Sequence, residues 1–476
     1  MPTLKDTHPL YLNNKAQQPN TDLAVTDKFT GEVAFRTALA SPEIIDEAIA
    51  GAVRAAEPMA RLASYERQAV LQHCVERFTE RFDELAYALC VEAGKPIKDS
   101  EGEVTRLIDT FRIAAEESVR MYGEVMPLDI SARARGYQSI WKRYPIGPCS
   151  FISPFNFPLN LVCHKVGPAL AAGNAVVVKP ATDTPLSALK LVEILLEAGV
   201  PPEAIQCVTG PGGEIGDAIS SDPRVRKITF TGSRDVGEHI CRIAGLKKVT
   251  MELGSNAPLI VMPDADLDKV AEATAATGFA NAGQVCISAQ RVLVDGDVYG
   301  DFLDALKPRV EALSTGNPLE GSVKMGPMIR DADAARVQEW VQEAVSSGAT
   351  LVTGGDRVGT MHAPTILADV HPDMKVSREE IFGPAVAVTR FDGIDSAIAM
   401  ANDTRYGLSA GVFTQNIDWA LTFARKVHSG NIHINWGPQW RADLMPYGGL
   451  KDSGMGKEGP KYAVEEMTEI KMVVFH

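Results

Sequence analysis

No uninterrupted apolar run approaches the roughly 18 residues that a membrane span needs, and the opening MPTLKDTHPL has no apolar signal core. A membrane-embedded or exported chain is therefore not expected, and the cytoplasm is the default location. Basic charge is scarce as well: 47 Lys and Arg stand against 61 Asp and Glu, a net charge of -14. Nucleic acids and anionic membranes need a concentrated basic face, so small molecules or other protein chains are the expected partners. The seven cysteines, Cys74, Cys90, Cys149, Cys163, Cys207, Cys241 and Cys286, form no C-x-x-C pair and no close Cys/His spacing. That scatter fits reduced thiols; it speaks against a disulfide framework or a zinc site, and no metal is expected. A G-x-G-x-x-G fingerprint is missing from the first strand-to-helix turn, and no internal repeat or low-complexity linker stands out.

What the 476 residues do contain is enough apolar material, 45% of the chain, for two or three domains. The first third reads as helical. Ser41-Pro42 forms an N-cap signal, a second helix carries Val70 to Leu89 up to the Gly94-Lys95-Pro96 punctuation, and a third spans roughly Ser100 to Tyr122. From Pro148 strands alternate with helices through AVVVKP, IQCVTG, KITFTG and KVTMEL, the pattern of a parallel doubly wound sheet with its crevice at the carboxyl ends of the strands. A second α/β unit follows from APLIVM. Two strand candidates, Gly136 to Tyr144 and Lys471 to Phe475, fall outside both units.

The polar motifs gather at predicted strand ends and turns. GQVCIS sets Cys286 between small and polar neighbours after a predicted helix from Asp266 to Ala280, where a thiol is placed to attack an electrophile. A free cysteine is more often a small buried hydrophobe, but Cys286 has company. Glu252 ends KVTMEL, Asn156 lies in SPFNFP, Lys179 ends AVVVKP, and Gly232 and Ser233 form a turn able to present N–H groups to a pyrophosphate.

Taken together and in order, SPFNFP, VVKPAT, FTGS, MELGSNAP, GQVCIS, EEIFGP and PYGGLKDSG resemble the aldehyde dehydrogenase superfamily over nearly the whole chain. The resemblance implies a Rossmann-like doubly wound dinucleotide-binding domain (1–125 and 146–254), an α/β catalytic domain with the nucleophile loop (255–445), and a small β bridging element (126–145 and 460–476). It implies a homodimer or homotetramer that oxidises an aldehyde with NAD or NADP. Cys286 would be the nucleophile, Asn156 an oxyanion donor and Glu252 the base that activates water. Lys179 would hold the adenosine ribose, Gly232 and Ser233 the pyrophosphate, and Glu380 and Phe382 the nicotinamide ribose and ring, with Phe155 beside the catalytic amide. Ile152, Ser153, Thr182, Gly212, Gly216 and Phe230 complete that cradle. Strictly NAD-preferring members carry a glutamate where Thr182 stands here, so NADP should be accepted.

For the substrate the candidates are Arg106, Phe157, His164 and Arg441, in a combination similar to the branch acting on lactaldehyde, glyceraldehyde 3-phosphate and phosphonoacetaldehyde. Arg106 also reads as an ordinary salt-bridged helix arginine. Succinic semialdehyde dehydrogenases place arginine at the positions of His164 and Ala280, phosphonoacetaldehyde dehydrogenases histidine at Phe157, and non-phosphorylating glyceraldehyde 3-phosphate enzymes arginine at Val285. The expectation is a short aldehyde with one anionic or hydroxyl group. The alternatives are a thiol esterase or acyl transferase using the same cysteine, and a catalytically idle member of the fold.

Overall fold

Strands Cys149–Ile152, Val176–Lys179 and Ile205–Cys207 are buried at every residue, which requires a sheet with helices on both faces. A computed structural model describes residues 3–476 and places these strands in an eight-stranded sheet. Its order is Gly454–Met455, Lys248–Glu252, Lys227–Thr231, Cys149–Ile152, Val176–Lys179, Ile205–Cys207, Leu10–Leu12 and Lys15–Gln17. The five central strands are parallel, as their apolar runs predict. Both edges are antiparallel, and the edge strands come from the N-terminus and from the far C-terminal part of the chain.

A seven-stranded sheet forms the second body, in the order Thr350–Thr353, Thr365–Ala368, Ala385–Phe391, Arg291–Asp295, Pro258–Val261, Ser409–Phe413 and Asn431–Ile434. Only the first of these runs against its neighbour. The two strand candidates without a home pair with each other. Thr468–Phe475 runs antiparallel to Gln138–Pro145, which also pairs with Gly123–Pro127, in a largely exposed three-stranded ribbon. Residues 460–466 join the helical layer instead, as the helix Pro460–Glu466 packed on Asn160–Ala172 and Ile97–Ser118.

Three expectations need correction. The N-terminal region is not purely helical: its first 37 residues contain five strands, each at most five residues long and too short for alternation to reveal. The single helix expected from Val70 to Leu89 is two, Ser64–Glu80 and Phe82–Ala93, broken at Arg81. Arg81 leaves helical geometry while its guanidinium reaches Glu84 at 2.8 Å and Glu193 at 3.1 Å. The helix expected to reach Tyr122 spans Ile97–Ser118. Among the described residues, no helix is long and apolar enough to cross a membrane.

Two helices lack a local cap and borrow a buried glutamate. At the start of Asn160–Ala172, Glu103 accepts hydrogen bonds from the Leu159 and Asn160 N–H groups at 3.0 and 2.9 Å and pairs with buried Lys95. Glu92 does the same for Leu186–Glu197, accepting from the Leu186 and Ser187 N–H groups at 2.7 and 2.8 Å. A carboxylate at a helix N-terminus satisfies orphan donors and complements the helix dipole. Glu103→Ala leaves the Lys95 ammonium buried without its partner, so a loss on the order of 3–5 kcal/mol is expected. An unchanged urea midpoint for that variant would contradict the capping role.

Candidate functional site

Beyond the helix Leu267–Phe279 the chain makes a turn that few sequences adopt. Asn281, Ala282 and Gly283 all have positive φ, at 49°, 53° and 69°. Two non-glycine residues in the left-handed region are costly and persist only where the surroundings fix them. The surroundings here are specific: the Asn281 amide donates to the Asn156 carbonyl at 3.2 Å, the Gln284 amide donates to the Asn281 carbonyl at 3.0 Å, and Gln284 Oε1 accepts from the Ile329 N–H at 2.9 Å. The turn buries Val285 and Ile287 and leaves Cys286 half-buried between two cavities. One is a cleft of about 700 Å³; the other is a pocket of about 230 Å³.

Asn156 meets Cys286 on the cleft side. One of its two amide N–H groups donates to the Gln284 carbonyl at 2.9 Å, and its buried Oδ1 has no protein partner. Glu252 meets Cys286 on the pocket side, at the end of Lys248–Glu252. Both of its carboxyl oxygens are buried without a hydrogen-bond partner. Burial, aided by the charge of Glu458, pushes this carboxyl well above the usual range, while Arg441, Lys165 and Lys457 act the other way. Burial also pushes the Cys286 thiol up to about 12, opposed by the Tyr447 hydroxyl 3.5 Å from its sulfur. The sulfur, acid and amide named from sequence are thus brought to one junction.

The cleft is lined by Ile152, Ser153, Phe155, Lys179, Thr182, Gly212, Phe230, Gly232, Ser233, Glu380 and Phe382. Its features suit a dinucleotide. Ile152, Phe230 and Phe382 supply an apolar floor, and the helix Arg234–Ile243 opens its N-terminus onto the cleft, a ready anion site. Lys179 is buried with its ammonium on the Pro180 carbonyl at 2.9 Å, and burial lowers it to about 8. Phe382, at φ 46°, packs edge-to-face on Phe155. Glu380 accepts from the Ser255 N–H at 2.9 Å and is raised to about 7 by burial.

Two sequence assignments shift in the cleft. Gly216 does not line it; it lies further along the helix Gly212–Ser221, where a side chain would meet Ile152. The Gly232 N–H is taken by the Glu252 carbonyl at 3.1 Å, and a Cβ at Gly232 would strike the Phe230 ring. Sequence reading missed Arg330, which pairs with Asp183 at the rim, and the Arg336–Trp340 stack, since neither pairing has a local sequence signal.

Arg106, Phe157 and Arg441 line the smaller pocket, as expected. The Lys95 ammonium holds Phe157, 3.7 Å over its ring. Arg106 also forms the salt bridge that the plainer reading anticipated, with Asp443 at 2.6 and 3.3 Å. His164 is the exception: it is fully buried behind the pocket and contacts Asp443 and Arg441 instead of lining the wall. It stands one turn beyond Asn160 and Leu161, which do line the pocket, and is screened from the cavity by Arg441 and Asp443. Asp443 and Tyr447 lie in the RADLMPYGG stretch, from which sequence reading had singled out only Arg441. Lys165 and Glu458, 2.9 Å apart and buried, had no signal at all.

Two bodies of parallel sheet with a thiol, a carboxyl and an amide at their junction define an oxidoreductase of the aldehyde dehydrogenase type. The chain belongs to that family: the profile described as "Aldehyde dehydrogenase family" matches residues 14–473. It is an NAD(P)-dependent enzyme that oxidises aldehydes. Among its relatives, a 3-sulfolactaldehyde dehydrogenase of Priestia aryabhattai is 45% identical over 98% of both chains. The crystal structure of aldehyde dehydrogenase 21 from Physcomitrella patens, in complex with the reaction product succinate, superposes with a TM-score of 0.97 at 44% identity. That superposition covers 100% of this chain and 99% of that one. The NADP complex of a glyceraldehyde-3-phosphate dehydrogenase, GapN, from Methanocaldococcus jannaschii gives a TM-score of 0.93 at 38% identity, covering 96% and 99% of the two chains.

The turn before Cys286 gives a direct test. A Cβ at Gly283 would fall on the Gly383 carbonyl, and the residue's φ of 69° disfavours side chains. Gly283→Ala is expected to lower kcat/KM for aldehyde by at least about tenfold, because a small misplacement of the sulfur is costly to catalysis. Wild-type turnover by that variant would show that the loop geometry is not needed.

Proposed function

We propose that the chain converts a short aldehyde bearing a terminal anion to the carboxylic acid, with Cys286 as nucleophile and Glu252 as the base for hydrolysis. The observation that carries this reading is that Cys286, Glu252, Arg106 and Arg441 wall one pocket of about 230 Å³. Arg106 and Arg441 on its wall, with Lys165 behind it, are countered by Asp443 and Glu458. Burial works against ionisation of Glu458, yet Lys165 and Arg441 hold it down at about 2, whereas burial and the charge of Glu458 raise Glu252 and favour its neutral form. The pocket therefore carries an excess of positive charge beside the nucleophile, suited to an anionic substrate tail.

The Cys286 sulfur attacks the aldehyde carbon as its proton passes to solvent water, forming a C–S bond and an oxyanion. The free N–H of the Asn156 amide and the backbone N–H of Cys286 are the donors for that oxygen. Lys179, the helix terminus at Ser233, Glu380 and Phe382 would together hold the dinucleotide in the cleft, and when bound it would supply the acceptor for the hydride released from this carbon. A thioester on Cys286 remains. Glu252, once deprotonated, removes a proton from water; the hydroxide adds to the thioester carbon and the C–S bond breaks, giving the acid and the Cys286 thiolate.

The relatives narrow the tail. One is named for 3-sulfolactaldehyde and another holds succinate, so the class proposed is an aldehyde of three or four carbons with a sulfonate or carboxylate at its far end. Thr182 at the cleft, donating to the Gly210 carbonyl at 3.0 Å, places no carboxylate against a 2'-phosphate, and neighbouring Asp183 is paired with Arg330. NADP is accepted on this reading. The sheets support a division into a dinucleotide-binding body (1–125 and 146–254), a catalytic body (255–445) and a bridging ribbon (126–145 and 468–476), with 460–466 packed in the helical layer of the first. The ribbon's exposed face fits a cytoplasmic homodimer or homotetramer.

A substrate panel tests the proposal. kcat/KM for 3-sulfolactaldehyde or succinic semialdehyde should exceed that for lactaldehyde or butanal by at least about tenfold, the scale of one well-placed ionic contact; equal values would overturn the anionic class. A preference of about a hundredfold for NAD over NADP would overturn the cofactor reading. Glu252→Gln should release one equivalent of reduced cofactor per site and then stall, with hydrolysis slowed about 10²–10⁴-fold. Because the Glu252 pKa is raised, wild-type hydrolysis should quicken as pH rises through it, and the Gln variant should lose that limb. A full steady-state rate with Glu252→Gln would remove the residue from the reaction.

A further inference from the structure

His164 never reaches the substrate pocket, yet both guanidinium groups that line it depend on what His164 touches. Its Nδ1 lies 3.1 Å from Arg441 Nη2 and its Nε2 lies 2.9 Å from Asp443 Oδ1. Arginine only donates and a carboxylate only accepts. Nδ1 must therefore be the acceptor and Nε2 must carry the hydrogen, so the ring is neutral and locked in one tautomer. Asp443 in turn accepts from Arg106 at 2.6 and 3.3 Å. With its amide oriented to satisfy both partners, Asn160 supplies a further oxygen, 2.9 Å from Arg106 Nη2. Arg441 is held from its far side by Glu458 at 3.2 Å and lies over the Tyr447 ring at 4.0 Å.

We infer that His164 and Asp443 are positioning residues that set the two arginines for the substrate's anionic tail, and so determine the preference for anionic aldehydes. The inference rests on the anion reading of the pocket given above. The chemistry of the link explains its composition. A cation at position 164 would repel Arg441 and compete with Arg106 for Asp443, and an apolar residue would leave Arg441 and Asp443 each short of a buried partner. A neutral imidazole joins a donor to an acceptor through a rigid ring and adds no charge. Burial, with Arg441, lowers His164 to about 4, against the pull of Asp443, so this state holds across the neutral range. His164 and Asp443 are 279 residues apart in the chain, so the link also fastens the C-terminal loop to the helix Asn160–Ala172.

Two variants separate positioning from simple charge and from simple stability. Asp443→Asn removes a negative charge from beside the pocket. Bulk electrostatics predicts that an anionic aldehyde then binds more tightly, whereas loss of positioning predicts that it binds more weakly. With succinic semialdehyde and butanal as the matched pair, the ratio of their KM values should rise by about tenfold in Asp443→Asn and in His164→Leu. His164→Gln, which retains a donor toward Asp443, should recover part of that shift. NADPH binding, followed by fluorescence, reports folding of each variant, and if His164→Leu does not fold, the Asn and Gln variants decide. A fall in the KM ratio in Asp443→Asn, or a ratio equal to wild type in the folded variants, overturns the inference. If the wild type itself does not discriminate between the two aldehydes, the anion reading of the pocket fails first. If it discriminates and the folded variants discriminate equally, only the positioning role fails.

Discussion

The Asn156 amide donates a hydrogen bond of 2.9 Å to the Gln284 carbonyl, and that contact joins the carboxyl end of one sheet to the loop that follows a helix of the other. The reverse contact, from the Asn281 amide to the Asn156 carbonyl at 3.2 Å, closes the pair. Together they hold three successive residues with positive φ and so decide where the sulfur of Cys286 lies. The sulfur can then face a wide cleft on one side and a small pocket on the other. A thiol at such a junction is open to two cavities of different size, one on either side.

Around that point the protein buries ionisable groups in numbers that a simple apolar core would not tolerate. Lys95, Glu103, Lys165, Glu252 and Glu458 are all essentially inaccessible. Four of them have charge partners and helix termini to answer them, and they fix the helix that carries Asn160, His164 and Lys165. Glu252 alone has no hydrogen-bond partner on either oxygen. The contrast separates roles by environment: carboxyls that hold the frame are answered, and the one left unanswered faces the nucleophile.

Much of this was legible in the chain. The central strands declare themselves because burial on both faces leaves unbroken apolar runs, and the motifs declare themselves because strand ends are where a doubly wound sheet opens its crevice. Cys286, Glu252 and Asn156 are visible for that reason. The glutamates that cap distant helices, the Arg330–Asp183 pair and the link from His164 to Asp443 were not, because each is a contact between segments far apart in sequence and none alters the local pattern. Position 164 shows the difference most clearly. Its residue type suggested a wall of the pocket, but whether a side chain one turn beyond Asn160 reaches the cavity or is screened by Arg441 depends on a contact with a segment 277 residues away. The short N-terminal strands were hidden for a simpler reason, since two to five residues hold too few alternations to read.

The segment bearing Arg441, Asp443 and Tyr447 leaves the strand Asn431–Ile434 of the seven-stranded sheet and arrives at Gly454–Met455, which is stitched to the edge of the eight-stranded one. Tethered at each end to a different body, it behaves as a cassette: its middle can exchange side chains while neither sheet loses a strand. The Cys286 sulfur, the Asn156 amide and the Glu252 carboxyl all belong to other parts of the polymer. Exchange of side chains around Arg441 can therefore reshape one wall of the pocket without touching either sheet, as long as Tyr447, the part of the loop that meets the Cys286 sulfur, is kept.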